Sequence, residues 1–64
     1  MTQEQIIETV QSELGIDGIT LETTLDSLGV DSLGFMELML KCEVPREKEV
    51  GIETVGDIVK AVAV

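Results

Sequence analysis

Apolar residues recurring at three- and four-residue steps, in three separate stretches of a 64-residue chain, constrain the fold more than any other feature. Between Gln3 and Leu14, the residues Ile6, Ile7, Val10 and Leu14 make one apolar stripe, the pattern of an amphipathic helix. Thr2 suits its N-cap, with Gln5 three residues on as the capping-box partner, and Gly15 suits the left-handed residue that closes a last turn. A second helix is expected from Asp31, a good N-cap that puts Ser32 in the first turn. Leu33, Met36 and Leu40 would form its apolar face, with Leu38 or Met39 at the edges. The third helix opens at Thr54, with Asp57 as reciprocal capping group and Val55, Ile58, Val59 and Val62 as the buried stripe. A hairpin at this end is disfavoured, since neither strand alternation nor a turn dipeptide is present.

Between the first two helices, Ile16, Ile19, Leu21, Leu25 and Leu28 are too irregular for one helix and too many for a solvated linker. They are expected to pin the connection across the helix ends. Thr24 and Asp26 can each start a short helical turn, and Gly29 releases the chain before the next element. Pro45 requires the second helix to stop before it. The charged stretch from Arg46 to Val50 has room for one or two irregular turns. The fold class expected is all-α, a small bundle of three main helices with room for a short fourth, in a single domain over residues 1–64.

Size and composition exclude several kinds of function. A chain this short buries only roughly 60% of the surface its unfolded form exposes, so a catalytic cleft walled by several layers is not expected. Without histidine, a His-based nucleophile and the common His-containing metal sites are excluded. A single cysteine, Cys42, makes neither an internal disulfide nor a zinc cluster nor a redox pair, and a packing role is expected of it. No spacing marks two carboxylates as a general acid and base. The expectation is therefore a non-catalytic chain with no metal site.

Thirteen acidic residues against four basic ones give a formal net charge of -9. That charge repels nucleic-acid backbones and anionic membrane surfaces, so basic proteins are the expected partners. No basic region followed by an apolar stretch marks a signal peptide, and no run approaches the roughly 20 apolar residues of a membrane span. A soluble, cytoplasmic, monomeric protein is expected.

The string Leu28-Gly29-Val30-Asp31-Ser32-Leu33 lies where periodicity starts the second helix. Taken alone, Asp-Ser-Leu also fits an ordinary Asp-capped helix with a neutral serine. With its length, acidity, lack of histidine and helix placement, however, the chain resembles the acyl carrier proteins of fatty-acid and polyketide synthesis. In that family an Asp-Ser-Leu motif at the start of the second helix carries 4'-phosphopantetheine on its serine. The resemblance implies covalent attachment at Ser32, installed by a phosphopantetheinyl transferase from coenzyme A with magnesium. Asp31 and Leu33 would complete the motif, Asp31 helping to present metal and serine. It also implies that Met36, Glu37 and Leu40 face acyl-transfer, condensing or other synthase enzymes with basic docking surfaces. An aminoacyl or peptidyl carrier, and an unmodified acidic domain that binds and regulates a protein, remain as alternative readings.

One departure from the family pattern bears on the second helix. Typical members carry about six more residues between the serine and the proline, roughly one and two-thirds turns of continuous helix. The second helix is accordingly expected to be short, from Ser32 to about Glu43, with a reduced acyl-chain cavity and fewer acidic docking contacts. Glu37, Glu43, Glu47 and Glu49 would replace those contacts in part. Gly34, where many relatives have a polar or acidic residue, is expected to weaken the first turn by up to about 1 kcal/mol relative to alanine.

Overall fold

The computed structural model of the chain describes residues 1–62. It is all-α: α1 spans Gln3–Leu14, α2 Ser32–Lys41 and α3 Val55–Val62, with 3-10 turns at Asp26–Leu28 and Arg46–Lys48. Helix α1 packs against both α2 and α3. The core is aliphatic and sulfur-bearing, built from Ile6 and Val10 of α1, Ile19 and Leu25 of the long connection, Leu38, Met39, Cys42 and Val44 at and beyond α2, and Val55 and Ile58 of α3. Phe35 packs against this cluster from its edge.

The helix ends follow the capping chemistry of the sequence. Thr2 Oγ1 accepts from the Gln5 N–H at 3.1 Å, and the Thr2 N–H donates to Gln5 Oε1 at 2.8 Å. Gly15 closes α1 at φ 65°, a conformation open to glycine at little steric cost. At α3 the box is built from Thr54 and Asp57: the Asp57 N–H donates to Thr54 Oγ1 at 3.1 Å. Asp57 Oδ2 in turn accepts from the N–H groups of Thr54 at 3.1 Å and Glu53 at 3.0 Å.

The long connection is held by backbone as well as by side chains. The Val55 N–H donates to Thr23 O at 3.0 Å, the Gly56 N–H to Leu21 O at 2.8 Å, and the Leu25 N–H to Glu53 O at 2.9 Å. Donors that a helix start leaves unpaired are thereby satisfied by the loop, which is locked across α3. Ile19 and Leu25 are buried in this clasp, Ile16 and Leu28 are partly buried, and Leu21 stays exposed. Of the two candidate turn starters, Asp26 is the first residue of the turn, with Leu25 at the N-cap position and no side-chain cap, while Thr24 braces it from one residue further back. Its hydroxyl accepts from the Ser27 N–H at 3.2 Å, and the turn then closes at Gly29, φ 75°.

Two expectations for α2 need correction. The helix ends at Lys41, not near Glu43: Cys42 is its C-cap and Glu43 takes a left-handed φ of 61°. Its inward face is also not the expected one. Leu38 and Met39 are buried, whereas Leu33, Met36 and Leu40 are 67%, 57% and 77% exposed. The reason is geometric. At about 100° per residue, Glu37 stands roughly 40° from Leu33 and 60° from Leu40 around the axis, but at least about 100° from Phe35, Leu38, Met39 and Cys42. Burying the first set would draw a carboxylate toward the core, at a cost of several kcal/mol if unpaired. Burying the second keeps Glu37 and Lys41 in water and runs on into Val44.

Candidate functional site

The start of α2 is positioned by the segment before it. Buried Leu25, tied through its N–H to Glu53 O, accepts through its own carbonyl from the N–H groups of Leu28 at 3.1 Å and Val30 at 3.3 Å. The chain then extends through Asp31, at φ -91° and ψ -176°, and turns into the helix. Asp31 Oδ1 accepts from the Gly34 N–H at 2.7 Å, and Asp31 O accepts from the Phe35 N–H at 2.7 Å. A side chain at Gly34 would put its Cβ 3.1 Å from Asp31 Oδ1, so glycine leaves room for the capping carboxylate.

Ser32 follows directly and is exposed. Among the described residues its hydroxyl makes no hydrogen bond, and neither its N–H nor that of Leu33 has a protein partner. Leu33, Met36, Glu37 and Leu40 continue from Ser32 along the same solvent-facing side of α2, with Asp31 at its head. Asp31, Ser32, Leu33, Met36, Glu37 and Leu40 thus lie on one exposed surface, whereas Glu43, Glu47 and Glu49 lie beyond the end of α2, Glu49 only partly exposed.

Chemistry elsewhere is sparse. No polar or charged side chain is buried among the described residues, and no group of three or more metal-ligating residues is found among them. Asp57 is held below the ordinary aspartate value by the N–H groups of Glu53 and Thr54, an effect of its capping role. The Cys42 thiol is pushed up to about 11, first by burial and then by the nearby Glu13 carboxylate, which keeps it protonated and unreactive. No helix among the described residues is long and apolar enough to cross a membrane.

A cavity of about 420 Å³ lies between the long connection, Phe35 of α2 and the segment before α3. Leu25, Val30, Phe35 and Ile52 line it together with the polar Thr24, Asp26, Glu53 and Thr54. An alkyl chain entering it would meet polar groups on half of the lining residues. Sequence patterning does not single out this cavity, because it arises where segments distant in sequence meet.

The site is thus an exposed serine, unbonded among the described residues, at the head of an exposed apolar ridge on α2. The phosphopantetheine attachment site family matches residues 4–62. Curated relatives agree: the chain is 38% identical over 66 aligned residues to the acyl carrier protein of Clostridium perfringens, covering 89% of this chain and 87% of that protein. It is 39% identical over 62 residues to the acyl carrier protein of Streptococcus pyogenes serotype M3, covering 88% and 84%, and 37% identical over 62 residues to that of Streptococcus thermophilus. The chain belongs to the phosphopantetheine attachment site family. No solved structure matches it.

The residues present fit such an arm. Ser32 offers an unengaged hydroxyl, and the unpaired N–H groups of Ser32 and Leu33 suit an adjoining phosphate. The Asp31 carboxylate is drawn toward the Gly34 N–H by its capping bond.

Proposed function

We propose that this chain is a non-catalytic carrier that holds acyl intermediates as thioesters on a 4'-phosphopantetheine arm attached to Ser32 and delivers them to fatty-acid or polyketide synthesis enzymes. The observation that carries the reading is the exposed, unbonded hydroxyl of Ser32 in the first turn of α2. When attached, the arm supplies the reactive thiol, a task for which buried Cys42 is unsuited.

The chain's own residues supply presentation. Asp31 fixes the first turn through Gly34, so that Ser32 is held at a defined place and angle for the transferase. The clasp between the long connection and α3 keeps the preceding loop from covering it. Leu33, Met36, Glu37 and Leu40 form the surface that enzymes acting on the arm would cover. A net charge of -9 favours basic partners over nucleic acid or anionic lipid. Relatives named as acyl carriers favour acyl over aminoacyl or peptidyl cargo.

Intact-mass spectrometry tests the assignment. Incubated with coenzyme A, magnesium and a purified phosphopantetheinyl transferase of broad specificity, the chain should gain one arm. Ser32→Ala should gain none, while Ser27→Ala should be modified like the parent. An unmodified parent chain across several such transferases would overturn the proposal and favour an unmodified regulatory domain.

A further inference from the structure

The tetrapeptide Asp-Ser-Leu-Gly occurs twice in this chain, at residues 26–29 and again at residues 31–34. Both serines are exposed, so neither local composition nor access separates them. What differs is where their polar hydrogens go. In the first copy the Ser27 hydroxyl donates to Thr24 O at 2.7 Å, and the Ser27 N–H to Thr24 Oγ1 at 3.2 Å. The Leu28 N–H donates to Leu25 O at 3.1 Å and the Gly29 N–H to Asp26 O at 3.1 Å. Leu28 packs against the core, and Gly29 turns left-handed at φ 75°. In the second copy the same four residues run into α2. There the Ser32 hydroxyl and the N–H groups of Ser32 and Leu33 have no partner among the described residues. Asp31 Oδ1 takes the Gly34 N–H, and Leu33 is 67% exposed.

We infer that backbone conformation chooses between these two identical tetrapeptides, and that the turn from Thr24 to Gly29 is a specificity-determining element that withholds Ser27 from the transferase. The inference rests on the carrier reading and adds to it what the transferase distinguishes. Arm transfer joins the serine oxygen to the coenzyme A phosphorus nearest the pantetheine. The bond from that phosphorus to the nucleotide phosphate breaks, the nucleotide leaves, and the hydroxyl proton passes to a base on the transferase. At Ser32 that proton is not engaged, and two unpaired N–H groups adjoin the phosphate being formed. At Ser27 the proton is already given to Thr24 O, and the N–H groups of Ser27 and Leu28 are spent as well. Three hydrogen bonds therefore have to open, and Leu28 has to leave the core, before the first copy can present itself as the second does. Each such bond holds the opening back roughly two- to tenfold, so three of them give Ser32 a preference on the order of a hundredfold. The turn is held in turn by buried Leu25, whose N–H is tied to Glu53 O, so the withholding depends on the folded chain.

The test compares the folded chain with a full-length chain unfolded by Ile58→Asp, which puts a charge at a fully buried position and leaves both tetrapeptides and their flanks unaltered. Val10→Asp is added if circular dichroism still shows helix. Each chain is incubated with coenzyme A, magnesium and a purified phosphopantetheinyl transferase of broad specificity, and fragment-ion mass spectrometry locates the arm. In the folded parent Ser32 should be modified about a hundredfold faster than Ser27. Folded Ser32→Ala should keep Ser27 bare over the time in which the parent is fully modified. In the unfolded chain the preference should vanish, with the two serines modified within about threefold of each other or both left bare. A larger preference for Ser32 persisting in the unfolded chain assigns the choice to flanking residues and overturns the inference. An arm on Ser27 of folded Ser32→Ala within the stated time overturns it too. Either result leaves the carrier reading standing, whereas a folded parent that accepts no arm removes both.

Discussion

Gly34 and Gly56 both sit in the first turn of a helix, yet alanine should be nearly neutral at the first and destabilising at the second. On helix propensity alone each substitution stabilises by up to about 1 kcal/mol. At Gly56 the new Cβ would lie 2.9 Å from Leu21 O and 3.5 Å from Leu21 Cβ. That carbonyl has little freedom to retreat, because it accepts the Gly56 N–H at 2.8 Å and its loop is tied to α3 by two further backbone bonds. Overpacking costs roughly 1–3 kcal/mol, and a contact under 3.0 Å with tethered backbone belongs at the upper end, about 2–3 kcal/mol, so that after the propensity gain a net loss of about 1–2 kcal/mol remains. At Gly34 the nearest atom is Asp31 Oδ1 at 3.1 Å, on a side chain able to shift by a few tenths of an ångström. The gain and the strain there nearly cancel. Thermal melts should therefore show Gly56→Ala lowering Tm by roughly 4–16 °C, at about 4–8 °C per kcal/mol for a domain of this size, and Gly34→Ala within a few degrees of the parent. A Gly56→Ala variant as stable as the parent or more so would refute the reasoning, since it would mean that the loop clasp yields freely.

Other consequences are separable by simple measurements. Leu38→Ala should cost about 2–5 kcal/mol in urea unfolding and Leu40→Ala no more than about 0.5 kcal/mol, and equal losses would contradict the assigned face of α2. Cys42 should react with iodoacetamide at pH 8 far more slowly in the native chain than in the urea-unfolded one, because its thiol is buried and pushed up to about 11. Asp57, held below its ordinary value of 3.8, binds fewer protons folded than unfolded, so the stability it contributes is present above that pH and lost as pH falls through the lowered native value. Acid titrations followed by circular dichroism should show Asp57→Asn losing stability less steeply than the parent below about pH 4.

Much of the fold was legible because capping residues and apolar periodicity agreed at every helix start. Thr2 with Gln5, Asp31 before Ser32, and Thr54 with Asp57 each make the bonds that their side-chain chemistry implies. The clasp between the long connection and α3 was not legible, since bonds such as Gly56 N–H to Leu21 O involve only backbone and leave no side-chain signature. Gly56, a poor helix former in the first turn of α3, was the one indirect sign of a close approach.

For α2 the difficulty was of another kind. Six of its ten residues are large and apolar, so spacing alone supports two opposite inward faces. The deciding information lay in the polar residues: only the face through Phe35, Leu38, Met39 and Cys42 leaves Glu37 and Lys41 in water. That choice also settles what the opposite face becomes. A helix with apolar residues on both sides must leave one set in solvent, and here the solvated set begins next to Ser32. Leu33, Met36 and Leu40 contribute nothing to the core, so folding does not account for their being apolar. The carrier function we propose accounts for them, as a surface beside Ser32 that is covered each time an enzyme reaches the proposed arm.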